Sequence, residues 1–221
     1  MTIVIAVKDN DKNRIVMGAD KRLTEGDLVV SDNIPKLLIK ELYVIDKPKK
    51  LFSKINIELD KFVIGFSGQY ALYELLKVFQ APVKSKNETF LEYCYNSLIP
   101  KLNELLTEHN MFTDFSNGLS GIDWELIIVY KDKIYGLDFQ MNILEAHDDY
   151  IAVGASKEIA YGSLHTALST KFLYRSHVKD LLPDWNVEKA IEACAAHSTK
   201  CNDEFELLEI KSTGEISYLK Q

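Results

Sequence analysis

Thr2 is the residue with the most distinctive chemistry on offer. It follows Met1, and a small residue in second position permits removal of an initiator methionine, which frees the next α-amine. A threonine exposed in this way carries a nucleophile and a base on one carbon frame. Its hydroxyl attacks, and its own amine, with a pKa of about 7.7–8.0, takes the proton. The run Thr2-Ile3-Val4-Ile5-Ala6-Val7 is apolar and β-branched, so the residue heads a strand and is rigidly mounted. Taken alone, a threonine at this position is far more often just a tolerated small residue.

Other reactive side chains offer less. Cys94, Cys194 and Cys201 form no C-x-x-C pair, which argues against a zinc or redox centre, and free thiols suit a reducing compartment. His109, His147, His165, His177 and His197 lack ligand spacing and are assigned to surfaces or satisfied core sites. No metal centre is expected. The formal charge of −7 comes without a basic block, which disfavours a nucleic-acid partner. Met1 to Val7 is too short for a signal peptide, and no window of about 18 apolar residues occurs. A soluble, cytoplasmic protein without a membrane partner is expected. With 221 residues, 47% hydrophobic and 27% charged, the chain is of ordinary globular composition and can bury a sizeable core without disulfide or metal.

The elements that would position Thr2 follow from periodicity. Residues 2–7 and 15–19 read as a hairpin, 28–31 as a third strand and 62–68 as a buried strand ending in a glycine turn. Residues 70–79 and 90–108 carry helical stripes, the second with Pro100 as a possible kink. A loop over 110–121 leads to strands at 124–130 and 133–138 and an extended stretch at 143–153. Helices at 157–172 and 187–200 precede a closing hairpin, 205–210 and 215–218, around Thr213-Gly214. Strands, two helices, strands, two helices, strands is an order that two helical layers enclosing two sheets would use well. Residues 1–221 read as one domain. The lysine-rich stretch 35–57 reads as a long, partly extended excursion, an insertion around 37–57.

Four segments taken in order carry a resemblance: Thr2-Ile3-Val4-Ile5-Ala6-Val7, then Val16-Met17-Gly18-Ala19-Asp20-Lys21-Arg22-Leu23-Thr24, then Ile64-Gly65-Phe66-Ser67-Gly68, then Ala152-Val153-Gly154-Ala155-Ser156. Together they resemble the proteasome β-subunits and their HslV-type relatives, the proteasome-like N-terminal nucleophile (Ntn) hydrolases. The resemblance implies an α+β fold, a four-layer αββα sandwich. It also implies threonine-type endopeptidase activity in a ring-shaped homo-oligomer acting on peptide or unfolded protein, with an ATP-dependent unfoldase as a candidate partner. By resemblance Thr2 is the nucleophile, Asp20 orients a lysine beside it, and Gly68 supplies an oxyanion-stabilising N–H. The family spacing puts the lysine twelve residues after Thr24, at Lys36, and Lys50 in Lys49-Lys50-Leu51-Phe52 is the competing match. Thr24 and Ser67 match positions that pair with a substrate backbone. Leu23, Phe66 and Tyr70 match the first side-chain pocket, which Phe66 should make shallow.

Two departures bear on activity. Ala155 stands where the family has a serine, with Ser156 one step out of register, and Ser198 stands where proteasomes have an aspartate. Ala195, Ser198 and Cys201 match positions whose carbonyls hold a cation in relatives, although a plain helix end is the favoured reading and no cofactor is expected. Two other functions remain open from sequence: a catalytically inactive assembly protein of the same fold, and an amidase acting on a small amide.

Overall fold

Both faces of the N-terminal strand are apolar, and both are covered. In β1 (Ile3–Asp9), Ile3, Ile5 and Val7 pack with Val187, Ala190 and Ile191, while Val4 and Ala6 pack on the opposite side with Val63, Ile127 and Val129. A strand buried on both faces has no use for alternation, which is why this run is continuously hydrophobic.

The computed structural model describes residues 2–25, 28–46, 56–114, 120–173 and 183–221. β1 turns back into β2 (Arg14–Asp20), and a small separate ribbon follows, β3 (Leu23–Glu25) with β4 (Leu28–Ser31). Next come β5 (Leu37–Asp46) and β6 (Asn56–Gly68), helix α1 (Tyr70–Val78) and the short β7 (Lys84–Ser85). A helical stretch runs through α2 (Phe90–Tyr93), a π turn over Cys94–Leu98, and α3 (Ile99–Glu108). A two-residue ribbon, β8 (Thr113–Asp114) with β9 (Ser120–Gly121), precedes β10 (Trp124–Tyr130), β11 (Lys133–Leu137), β12 (Ile143–Glu145) and β13 (Tyr150–Gly154). Helices α4 (Lys157–Leu173) and α5 (Pro183–His197) lead to the closing hairpin, β14 (Phe205–Lys211) and β15 (Ile216–Lys220).

The strands form a five-stranded sheet, β13-β1-β2-β14-β15, and a six-stranded sheet, β12-β11-β10-β6-β5-β7. Three apolar clusters separate four layers. One lies between the six-stranded sheet and α1 to α3, with Phe62, Leu76 and Leu102. Another lies between the five-stranded sheet and α4 and α5, with Ile5, Leu164 and Ile191. The third, with Val4, Met17 and Ile127, fills the space between the sheets. This is the αββα sandwich expected from the element order.

Three local details differ from the expectation. Residues 37–46 are a regular strand, paired with β6 from Leu37↔Gly65 to Asp46↔Asn56, so much of the lysine-rich excursion is one arm of a long hairpin. Lys50 lies outside the described residues. The extended stretch 143–153 is two strands in different sheets, β12 beside β11 and β13 beside β1. The chain crosses between sheets at the turn between them. Finally, Pro100 does not kink a plain α-helix. The Ile99 N–H bonds back to the Cys94 carbonyl, five residues earlier, and this wider turn makes room ahead of a residue that has no N–H to give. The start of the same helix is fixed by a reciprocal capping box between Thr89 and Glu92.

Candidate active site

β2 ends at Asp20, and the chain returns at Lys36, immediately before β5, so two sheets deliver their ends to the head of β1. There Thr2, Asp20 and Lys36 are all buried, at 3%, 0% and 4% exposure. The Lys36 ammonium donates to Thr2 Oγ1, and Thr2 Oγ1 donates to Asp20 Oδ1. The triangle closes with Lys36 Nζ to Asp20 Oδ1 at 3.0 Å. Asp20 is itself held by the Ile3 N–H at 2.8 Å and the Arg22 N–H at 3.1 Å. Burial pulls the Lys36 pKa below its ordinary value, with the Asp20 carboxylate pulling the other way. A hydroxyl placed between a cation that donates to it and an anion that accepts from it is prepared to lose its proton.

A pocket of about 280 Å³, counting its open mouth, lies over this cluster. Of the residues expected at the site, Leu23, Phe66, Gly68 and Tyr70 line it together with Thr2 and Lys36. Phe66 is buried against Tyr73, with ring centroids 6.0 Å apart, and both residues line the pocket. Thr24 lies on β3, opposite Val29 of the separate ribbon. Ser67 is buried and turned toward Gly154, its Oγ lying 2.9 Å from where a Cβ on that glycine would stand. β5 pairs with β6 as far as Gly65, so Ser67 and Gly68 extend past the end of that pairing.

The glycine before Ala155 has a definite job. Gly154 has φ +112°, and a Cβ there would sit 2.0 Å from the Thr2 carbonyl oxygen. The Ala155 N–H donates to that same oxygen at 3.0 Å. Replacing Gly154 by alanine is therefore expected to displace Thr2 and to destabilise the fold by at least about 2 kcal/mol, from positive-φ strain plus a backbone clash. Thermal unfolding of Gly154→Ala against wild type checks this.

Sequence reasoning overlooked Arg22, Ile34 and Tyr73, which complete the pocket lining, and Glu206. Arg22 accepts from Lys36 Nζ at its carbonyl, 2.5 Å away, and its guanidinium donates to the carbonyls of Thr199 and Cys201, both at 3.1 Å. One of the three carbonyls considered for a cation, that of Cys201, thus already receives a positively charged donor. Ser156 is buried and takes a hydrogen bond at Oγ from Cys201 Sγ at 3.3 Å. The alternation Asp20-Lys21-Arg22 beside a strand end was a usable signal for Arg22, whereas a lone glutamate in a C-terminal strand gave none.

Among the described residues, no group of three or more His, Cys, Asp or Glu side chains is placed to hold a metal ion, and no helix is long and apolar enough to cross a membrane. No family model and no curated protein sequence matches the chain. Solved structures do. Eukaryotic HslV from Trypanosoma brucei aligns with 17% identity and TM-score 0.58, over 95% of this chain and 99% of that one. Thiobacillus denitrificans BPH aligns with 15% identity and TM-score 0.63, over 97% and 100%. The same protein in complex with epoxomicin aligns with 15% identity and TM-score 0.62, over 95% and 98%. At these identities the likeness is one of fold, and it spans nearly the whole of each chain: this protein has the proteasome-like Ntn-hydrolase fold of HslV and BPH.

Proposed function

We propose that the chain is a threonine-type endopeptidase, a proteasome-like hydrolase of peptide bonds. The observation that carries the proposal is the Thr2 hydroxyl held between the Lys36 ammonium and the Asp20 carboxylate beside an open pocket. In the proposed reaction Met1 is first removed. Thr2 Oγ1 then attacks the substrate carbonyl carbon, and the hydroxyl proton passes to the Thr2 α-amine. The Gly68 N–H faces the developing oxyanion, a donor of a kind worth about 2.7–4 kcal/mol of barrier. The tetrahedral intermediate collapses by breaking the C–N bond, and the α-ammonium gives its proton to the leaving amine. A water molecule adds to the remaining ester, handing a proton to the α-amine. Loss of the threonine oxygen, reprotonated in turn, releases the acid and restores the enzyme.

Substrate would lie extended along the end of β6, where the pairing with β5 has stopped, with main-chain recognition shared between Ser67 and Thr24. The apolar walls of Leu23, Ile34, Phe66 and Tyr70 suit a small uncharged side chain. The deciding experiment is intact-mass analysis of the native protein with and without an epoxyketone peptide, which captures hydroxyl and free amine together. Loss of Met1 and a single adduct at Thr2 support the peptidase. An intact Met1 with no hydrolysis favours the inactive assembly protein. That second reading has one observation behind it: Ala155 has no hydroxyl to offer, and Ser156 is engaged with Cys201.

The proposal includes a cytoplasmic, ring-shaped homo-oligomer, with an unfoldase as a further partner. Tyr43, Ile57 and Leu59 are exposed by 47%, 59% and 54% and share one face of the β5–β6 hairpin, Tyr43 directly opposite Leu59. A contiguous apolar face of this kind suits contact between copies. Light scattering at micromolar concentration is expected to give a multiple of the 25.2 kDa chain mass, and a stable monomer would overturn the ring.

A further inference from the structure

Glu206 is a buried carboxylate that the proposed chemistry does not use. It is 3% exposed and lies on β14 opposite Ala19. Its neighbours Phe205 and Leu207 pack in the cluster shared with α5, while Leu208 joins the core between the sheets. Alternation therefore turns Glu206 inward, into the space between the two sheets. There Oε1 accepts the Lys36 N–H at 2.5 Å and the Leu37 N–H at 2.9 Å. The Lys36 carbonyl in turn accepts the Phe66 N–H at 3.1 Å. The backbone that carries Lys36 is thus gripped by β14 of one sheet and β6 of the other.

A neutral acceptor such as glutamine would satisfy the same two N–H groups without placing a charge in the core. The charge therefore calls for a use, and the nearest one is on the same residue it grips. Burial holds the Glu206 carboxyl above its ordinary value, and the two N–H bonds, Lys21 and Lys36 offset only part of that rise. Around Lys36 and Glu206 the charged and titratable groups are Asp20 and Lys21 at the end of β2, Cys201 before β14, Tyr73 on α1 and Tyr218 on β15. The two tyrosines are pushed up by burial and Cys201 is pushed up to about 11, so all three are neutral near pH 7. Asp20 meets the Lys36 ammonium directly, Glu206 grips its backbone, and in protein freed of Met1 the Thr2 α-amine is a further titratable group on the residue that Lys36 contacts.

We propose that Glu206 is a positioning residue for Lys36: it fixes the backbone from which the ammonium reaches Thr2 Oγ1. A carboxylate held there also favours the charged form of the lysine it grips. The role in turnover rests on the peptidase reading above. The sign follows directly. The competent state is the ammonium, and it is lost as pH rises through the Lys36 pKa. Removing one nearby negative charge lowers that pKa further, so the alkaline limb of kcat moves to lower pH.

The test uses protein freed of Met1 and two variants. Glu206→Gln keeps an acceptor and removes the charge. It is expected to leave KM within about twofold, and to move the alkaline limb down by about half a pH unit or more. Glu206→Ala removes both, and kcat should fall at least about tenfold at every pH with KM little changed. If the alanine variant does not fold, the glutamine variant decides alone. A second readout does not depend on turnover: the titration of the Lys36 side chain, followed by NMR through labelled lysine carbons, should shift to lower pH in Glu206→Gln. An unmoved Lys36 titration in that variant overturns the proposal. A shifted titration in a protein that hydrolyses no peptide upholds Glu206 as the residue that positions and charges Lys36, and overturns the peptidase reading instead.

Discussion

Thr2→Ala in protein freed of Met1 is expected to lower peptide turnover by at least about 10³-fold and to abolish labelling by an epoxyketone peptide. Losing the nucleophile of a coupled set removes nearly everything the set provides. The fold should survive. Thr2 is buried, but Asp20 keeps Lys36 at 3.0 Å and the N–H groups of Ile3 and Arg22 after the hydroxyl is gone. The stability cost is then that of two lost hydrogen bonds and a methyl, about 2–3 kcal/mol. Peptide hydrolysis, mass of the adduct and a thermal melt on the same preparation separate the two effects. Full activity in Thr2→Ala, or hydrolysis by protein that retains Met1, would defeat the mechanism.

The second large effect concerns the lysine. Lys36→Ala should cost about 10²-fold or more in kcat, because it removes the donor to Thr2 Oγ1 and leaves Asp20 buried with its charge uncompensated. Part of the loss will appear as instability, since stranding one member of a buried ion pair costs about 3–5 kcal/mol. Lys36→Met keeps the volume and separates packing from charge. Lys50→Ala should leave turnover within about twofold, because Lys36 already holds the place beside Thr2 and Asp20. The reverse pattern, with Lys50 essential and Lys36 dispensable, would show that the register between Thr24 and the catalytic lysine is wrong.

Much of this arrangement was legible in the sequence because its parts are local or strongly patterned. The continuous apolar run after Thr2 signals a strand covered on both faces. Lys36, which the family resemblance rather than any local pattern picks out twelve residues after Thr24, has its ammonium on Thr2 and Asp20 in the structure. What was harder to read has physical causes. β5 mixes charges with apolar residues for two reasons: Glu41 lies where the strand is covered on one side only, while Lys40 is buried and donates to the Lys77 carbonyl at 3.0 Å. Leu42 and Val44 point inward, and Glu41 and Tyr43 outward. Its period of two was present, but the charges hid it. The break at residues 146–149, where the chain changes sheets, carries His147-Asp148-Asp149, a polar interruption that could have marked the crossing. Glu206 had no local signal, because its meaning comes from N–H groups 169 and 170 residues away in sequence.

The order of strands in the five-stranded sheet also sets a timetable. Thr2, Asp20 and Lys36 are all translated early, yet β1 is flanked by β13 and β2 is flanked by β14. The Thr2 carbonyl waits for the Ala155 N–H, and the Lys36 backbone waits for Glu206. At about 5–20 residues per second of synthesis, these partners arrive roughly 8 to 40 seconds after the nucleophile, and such long-range pairings form slowly even then. A half-made chain therefore holds every reactive group of the proposed site but lacks the β13 and β14 parts of its frame. On the peptidase proposal, the protein would emerge from the ribosome inert and gain its chemistry only when its last strands close the sheet, which would spare its neighbours from a half-folded enzyme.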